Sequence, residues 1–184
     1  MSDLIFNIDN ISLKNDPSIF VMMEWERELM RKHAEIVTKN GGDILEIGFG
    51  MGISATYIQE FGVNSHTIVE YHPEVFKKLL DWSLDKSNVI PILGDWSIMS
   101  PVIKKRKYDG IFYDPHYFEP PLFSFKDLVE KVIKNGGVFS YFSACGADSF
   151  SYLDRLILEE ITIDNIPNNT YHNDNLCKVP YVVY

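Results

Sequence analysis

Cysteine is scarce in this sequence: two residues, Cys145 and Cys177, stand far apart in 184 positions. They supply neither a zinc-ligand pair nor a disulfide framework, and they fit a reducing, cytoplasmic setting. The five histidines show no paired ligand spacing either, so no metal is expected. Positive charge is also short. Lys and Arg total 17 against 26 Asp and Glu, a formal net charge of -9, which argues against non-specific binding to nucleic acid or to an anionic membrane. KKRK at 104–107 is the only basic run, and it reads as a solvated loop. The opening MSDLIFNIDN has no basic segment followed by a long apolar one, so no secretory leader is expected. Apolar runs of membrane-spanning length are missing, as are internal repeats.

What is present suffices for one substantial core, because 46% of the residues are hydrophobic. A single domain over 1–184 is the simplest organisation: a weakly patterned arm at 1–16, a helical stretch at 17–40 that contributes to a substrate site, and a core from 43 to 184. From 43 onward, β-prone and helix-prone segments alternate, which predicts a parallel sheet. The strands are DILEIGF (43–49), SHTIVEY (65–71), VIPILGD (89–95), YDGIFYD (108–114) and GVFSYFS (137–143). Helices are expected over GISATYIQEFG, PEVFKKLLDWS and FKDLVEKVIKNGG, the last stopped by its glycines, and over DSFSYLDRLILEE at 148–160. ITIDNI and CKVPYVVY, separated by the turn-rich PNNTYHNDN, suggest an antiparallel closing pair.

VMMEWERELM at 21–30 carries three glutamates within five positions. At about 100° per residue, a helix there gathers Met22, Met23, Trp25, Leu29, Met30, Ala34, Ile36 and Val37 on one stripe. Glu24, Arg27, Glu28, Arg31, Lys32 and Glu35 fall opposite. Glu26 lands in the middle of the apolar stripe, with His33 beside it. An inward carboxylate is costly without a donor or a positive partner.

Glu46-Ile47-Gly48-Phe49-Gly50-Met51-Gly52 follows the first core strand directly, and its glycines allow a tight turn and close backbone approach to a ligand. The dinucleotide fingerprint needs glycine at 53, where Ile53 stands, which counts against NAD. Acidic residues recur at the next two strand ends: Glu70, beside Tyr71, is placed to accept from ribose hydroxyls, and Asp95, beside Trp96, from an adenine amino group. The E-x-G-x-G pattern resembles the S-adenosylmethionine loop of Rossmann-like methyltransferases.

The fourth strand ends in Tyr113-Asp114-Pro115-His116-Tyr117. D-P-H-Y is similar to the D/N-P-P-Y loop of amino methyltransferases that act on nucleobases or protein side chains, with His116 in place of the second proline. VMMEWERELM, GGDILEIGFGMGISAT and VFKKLLDW, continuing through NVIPILGDW, YDGIFYD and KNGGVFSYF, resemble guanidinoacetate N-methyltransferase and the arginine guanidino methyltransferases. The resemblance covers nearly all of the chain after about residue 18. It implies an α/β fold of the Rossmann-like class I methyltransferase type: a seven-stranded, mostly parallel sheet with an antiparallel strand near the C-terminus. It also implies S-adenosylmethionine as cofactor and a small guanidino molecule such as guanidinoacetate or arginine as substrate; with the net charge of -9, no nucleic-acid or membrane partner is expected. Glu26 and Asp114 would grip the guanidinium, with Trp25, His116 and Tyr117 bordering it and Ser143, Ala144 and Cys145 meeting a substrate carboxylate. The cofactor would lie against Glu46, Gly48, Phe49, Gly50, Met51, Glu70, Tyr71, Asp95, Trp96 and Asp114.

Plainer roles compete at each position. Glu26 could pair with His33 or with a buried backbone donor, Asp114 could cap a turn before Pro115, and His116 could be a wall residue. A cofactor-binding domain without catalysis is a further alternative.

Overall fold

Strand pairing sets the architecture of the chain. The computed structural model describes residues 3–116, 122–143, 155–169, 171–172 and 174–184. A three-stranded antiparallel sheet comes first, from β1 (Leu4–Phe6), β2 (Asn10–Leu13) and β3 (Phe20–Met23). The segment expected as an arm thus carries two strands. The stretch expected as helix starts as a third, because Met22 and Met23 pair with Ile11 and Asn10. A single 3-10 turn, Glu24–Glu26, then leads into α1 (Arg27–Val37). The predicted stripe holds within α1, where Leu29, Met30, Ala34, Ile36 and Val37 are buried.

The main sheet has β4 (Asp43–Ile47), β5 (Ser65–Glu70), β6 (Val89–Leu93), β7 (Tyr108–Tyr113), β8 (Ile133–Tyr141), β9 (Ile157–Thr162) and β10 (Leu176–Val183). Its order is β6-β5-β4-β7-β8-β10-β9. β4 to β8 run parallel, and β10 alone is reversed against both of its neighbours. This is the mostly parallel, Rossmann-like class I sheet expected from the sequence. The chain leaves β4 toward β5 and β6, then returns to β7 on the other side. The crevice past the ends of β4 and β7 is therefore a topological switch point, where open α/β sheets bind ligands.

Helices cover both faces: α2 (Ile53–Glu60), α3 (Pro73–Ser83), α4 (Trp96–Ile103) and α5 (Leu122–Val132) join α1. Pro73 opens α3 behind an N-cap at His72, whose side chain accepts from the amide of Glu74. One core packs α4 and α5 residues such as Trp96, Ile103, Phe125 and Val129 on the sheet. Another packs α1 residues such as Met30 and Ala34 on Phe112 and Val179.

Two local expectations fail, and one helix was not expected, each for a physical reason. α4 is absent from the sequence-based expectation because WSIMSPVI is apolar apart from Ser97 and Ser100 and contains Pro101, so no clear amphipathic stripe shows; Asp95 starts it as an N-cap. The helix expected at 148–160 is a strand over Ile157–Thr162, in register with β10 from Leu176 to Tyr181; pairing overrides the helical preference of Leu-Glu-Glu. Residues 148–154 lie outside the described residues. Finally, α5 ends at Val132 and the glycines fall inside β8, with Gly136 at φ +80°.

Candidate active site

The turn after β4 is built on left-handed glycines: Gly48, Gly50 and Gly52 have φ of +90°, +53° and +74°. A Cβ on Gly48 would overlap the carbonyl oxygen of Asp114, and one on Gly50 would come within 2.6 Å of Met22 Sδ. The turn therefore sits tightly between the end of β7 and the N-terminal sheet. Glu70, 7% exposed, closes it from the β5 side. Its Oε2 accepts from the amide of Phe49 at 2.8 Å and its Oε1 from that of His72 at 2.6 Å. Burial raises the Glu70 pKa, against the lowering by those two amides.

Beside the turn lies a cavity of about 370 Å3. Gly48, Phe49, Gly50, Glu70, Asp95 and Asp114 form its wall on the main-sheet side. Leu4, Leu13, Val21 and Met22 cover it from the N-terminal sheet. Tyr71, half exposed, and Trp96 and His116 also line it. Trp96 is held edge-on against Phe125 and Tyr113, with ring centroids 4.9 and 6.1 Å apart. Asp95 accepts from the Ser97 amide and hydroxyl at 2.7 and 2.6 Å.

Asp114 emerges from β7 with its amide bonded to the Ile47 carbonyl at 2.9 Å. Its carboxylate has no hydrogen-bond donor or cation among the described residues. Burial pushes its pKa well above the usual range, and the nearby charges of Glu26, Glu46 and Glu70 add to the effect. Glu26 is 3% exposed. Its Oε1 accepts from the Met23 amide at 2.8 Å and from the Tyr171 hydroxyl at 2.6 Å. Burial outweighs both bonds and raises the Glu26 pKa to about 7. The buried backbone donor weighed as a plainer partner for Glu26 is thus present. His33 is not a partner: its Nδ1 lies 2.8 Å from Ser140 Oγ, and burial lowers its pKa to about 3. His116 is likewise shifted down to about 4 by burial, so it is neutral at pH 7.

The family model described as guanidinoacetate N-methyltransferase matches residues 13–176. The chain belongs to this family. Among curated relatives, protein arginine N-methyltransferase 2 of Saccharomyces cerevisiae is 38% identical over 140 residues, covering 70% of this chain and 34% of that protein. Its namesake in Yarrowia lipolytica is 32% identical over 158 residues, covering 79% and 33%. The chain thus spans about a third of the length of the curated relatives it matches. A putative S-adenosylmethionine-dependent methyltransferase from Streptococcus mutans superposes with a TM-score of 0.68 at 14% identity, over 100% of this chain and 55% of that one. Spermidine synthase from Thermotoga maritima gives 0.67 at 14% identity, over 99% and 68%. These two likenesses concern the fold. The family is named for N-methyl transfer to guanidinoacetate. The names of the curated relatives specify arginine in protein, and this overturns the small guanidino molecule expected as partner.

Within this guanidinoacetate methyltransferase family fold, several expected contacts do not line the cavity, Glu26 among them. Glu46 is fully buried beneath the glycine turn, 2.9 Å from His66 Nε2 and accepting from Ser54 Oγ, because its place in the strand alternation directs it to α2 rather than to the cavity. Met51 does not line the cavity; its amide meets Met22 Sδ at 3.2 Å. Trp25 does not line it either, and stacks on His172 and Tyr171 at 5.4 and 6.1 Å. Ser143 is half-buried just past β8. Tyr117, Ala144 and Cys145 lie outside the described residues. Sequence reasoning missed Tyr171 and His172, because PNNTYHNDN carries only turn signals and Tyr171 meets a partner 145 positions away.

Proposed function

We propose that this chain transfers a methyl group from S-adenosylmethionine to a guanidino nitrogen of an arginine side chain in a protein. The observation that carries the reading is the pair Glu26 and Asp114: Asp114 lines the cavity at the switch point, Glu26 lies near enough for its charge to raise the Asp114 pKa, and neither carboxylate is paired with a cation among the described residues. A guanidinium supplies the missing charge and a planar set of N–H donors. The relatives named for protein arginine agree with that chemistry.

The residues present fit the cofactor. About 370 Å3 falls within the roughly 300–1,000 Å3 of cofactor-sized sites. Glycines leave the turn backbone open to close approach, and the Glu70 carboxylate, whose four lone pairs are not all taken by its amide donors, can accept from a ribose hydroxyl. Asp95 would meet the adenine amino group. When bound, the cofactor supplies a sulfonium-activated, electrophilic methyl group.

The chain's own residues do the rest. A guanidinium is protonated at pH 7 and its nitrogens are poor nucleophiles. Glu26 and Asp114 accept its N–H groups and fix its plane, and Asp114 takes the proton as the nitrogen is alkylated. Arrival of the cation returns both carboxylates to their ionised forms. Leu4, Leu13, Val21 and Met22 exclude water from the cofactor side. The net charge of -9 favours encounter with a basic acceptor protein.

A labelled-methyl assay on arginine-bearing peptides and proteins, with Arg→Lys counterparts as controls, tests the proposal. Label confined to arginine supports it. Label in the lysine counterparts, in oligonucleotides, or in free guanidinoacetate alone overturns it.

A further inference from the structure

Glu26 is held asymmetrically. Both of its donors, the Met23 amide and the Tyr171 hydroxyl, meet Oε1, and Oε2 has no donor among the described residues. We infer that Tyr171 is a positioning residue for acceptor binding: its hydroxyl anchors Oε1 of Glu26, so that Oε2 is presented to the arginine guanidinium. The inference rests on the acceptor reading above and deepens it.

Tyr171 is itself fixed on several sides. Its ring is stacked on Trp25 at 6.1 Å with an interplanar angle of 28°, and stands edge-on to Phe142 at 6.4 Å. Asn169 Oδ1 accepts from the amides of Tyr171 and His172 at 3.0 and 2.7 Å, a side-chain turn that sets the backbone direction. His172 stacks on Trp25 at 5.4 Å, and its Nε2 lies 3.3 Å from Cys177 Sγ on β10. The connection between β9 and β10 is thereby tied to the segment that carries Glu26. Burial raises the Tyr171 pKa far above the ordinary phenol value, so the hydroxyl stays protonated and serves as a donor. A carboxylate whose Oε1 is engaged by two donors turns its free oxygen toward the remaining partner, which preorganises the grip on a cation.

Tyr171→Phe keeps the ring and removes only the hydroxyl. Because that bond lowers the Glu26 pKa, its loss raises it. In 13C-glutamate NMR of the full chain, the Glu26 carboxyl signal, assigned by its absence in Glu26→Gln, should titrate at higher pH in Tyr171→Phe than in the parent. In steady-state assays with the arginine acceptor, kcat/KM should fall roughly tenfold, mostly through KM, with its acid limb displaced upward. Cofactor affinity should not change, and Tyr171→Phe added to Glu26→Gln should cost nothing further. A folded Tyr171→Phe protein with an unmoved Glu26 titration, while the unaltered chain labels arginine, overturns the inference alone. No arginine labelling by the unaltered chain overturns the acceptor reading, and the role assigned to Tyr171 with it.

Discussion

Gly48 and Asp114 are packed back to back: a side chain on Gly48 would overlap the carbonyl oxygen of Asp114. The cofactor turn and the proposed proton acceptor thus share one backbone contact across the switch point. Gly48→Ala places a methyl group in that contact, at a φ of +90° that residues with a Cβ rarely adopt. Thermal denaturation should show a loss of about 1–3 kcal/mol. Methyl transfer should fall by far more than that loss explains, because Asp114 is displaced. An unchanged rate in the folded variant would show that the contact does not set the geometry of Asp114.

Glu26→Gln should separate chemistry from folding. The amide keeps an acceptor for Met23 and Tyr171 and removes the charge, so kcat/KM for arginine should fall at least about tenfold, as expected for a lost charge-assisted bond. Cofactor binding measured by calorimetry should hardly change. A reduced melting temperature with near-normal kinetics would remove Glu26 from the acceptor site.

The same variant has a pH signature. The folded Glu26 pKa of about 7 lies above its ordinary value of 4.5. Its contribution to stability is therefore full below about pH 4.5 and is lost as the pH rises through about 7, a change on the order of 3 kcal/mol. Without acceptor, the parent protein should lose stability over that window, and Glu26→Gln should flatten the decline and be the more stable form at pH 8. Chemical denaturation at several pH values checks this; parallel curves for the two proteins would contradict it.

Asp114→Asn should be more severe, about 100-fold or more in kcat, since it removes both a guanidinium partner and the group assigned the proton. Single-turnover kinetics isolate the transfer step. A defect confined to KM would reassign Asp114 to binding alone.

Glu70→Ala should weaken cofactor binding by about tenfold or more, from the loss of two acceptors worth roughly 0.5–1.5 kcal/mol each. The structure adds a second effect, because Glu70 also holds the amides of Phe49 and His72. The variant should fold but melt earlier, and bound cofactor should restore less stability than in the parent. Unchanged affinity in a folded protein would exclude Glu70 from the cofactor site.

The sequence by itself determined what depends on neighbours a few residues apart. Strand β4 running into Gly48, Gly50 and Gly52, acids closing β5 and β7, and the inward side of α1 all follow from period-2 and period-3.6 patterns and from the backbone freedom of glycine. Those patterns placed Glu26, Glu70, Asp95 and Asp114, and three of the four line one cavity. Glu26 approaches from the N-terminal segment. Local pattern could not decide whether apolar runs near the termini become helix or strand. Met22 and Met23 became strand by pairing with β2, and Ile157–Thr162 by pairing with β10. It could not show that Glu46 lies beneath the turn with His66, since one residue of strand phase decides which face a side chain takes. Nor could it place Tyr171 on Glu26, a contact across 145 positions that exists only once the closing strands have returned the chain to its beginning. Tertiary pairing, not local preference, decided these points, because the free energy of strand and ring packing between distant segments exceeds the weak propensities of a short run.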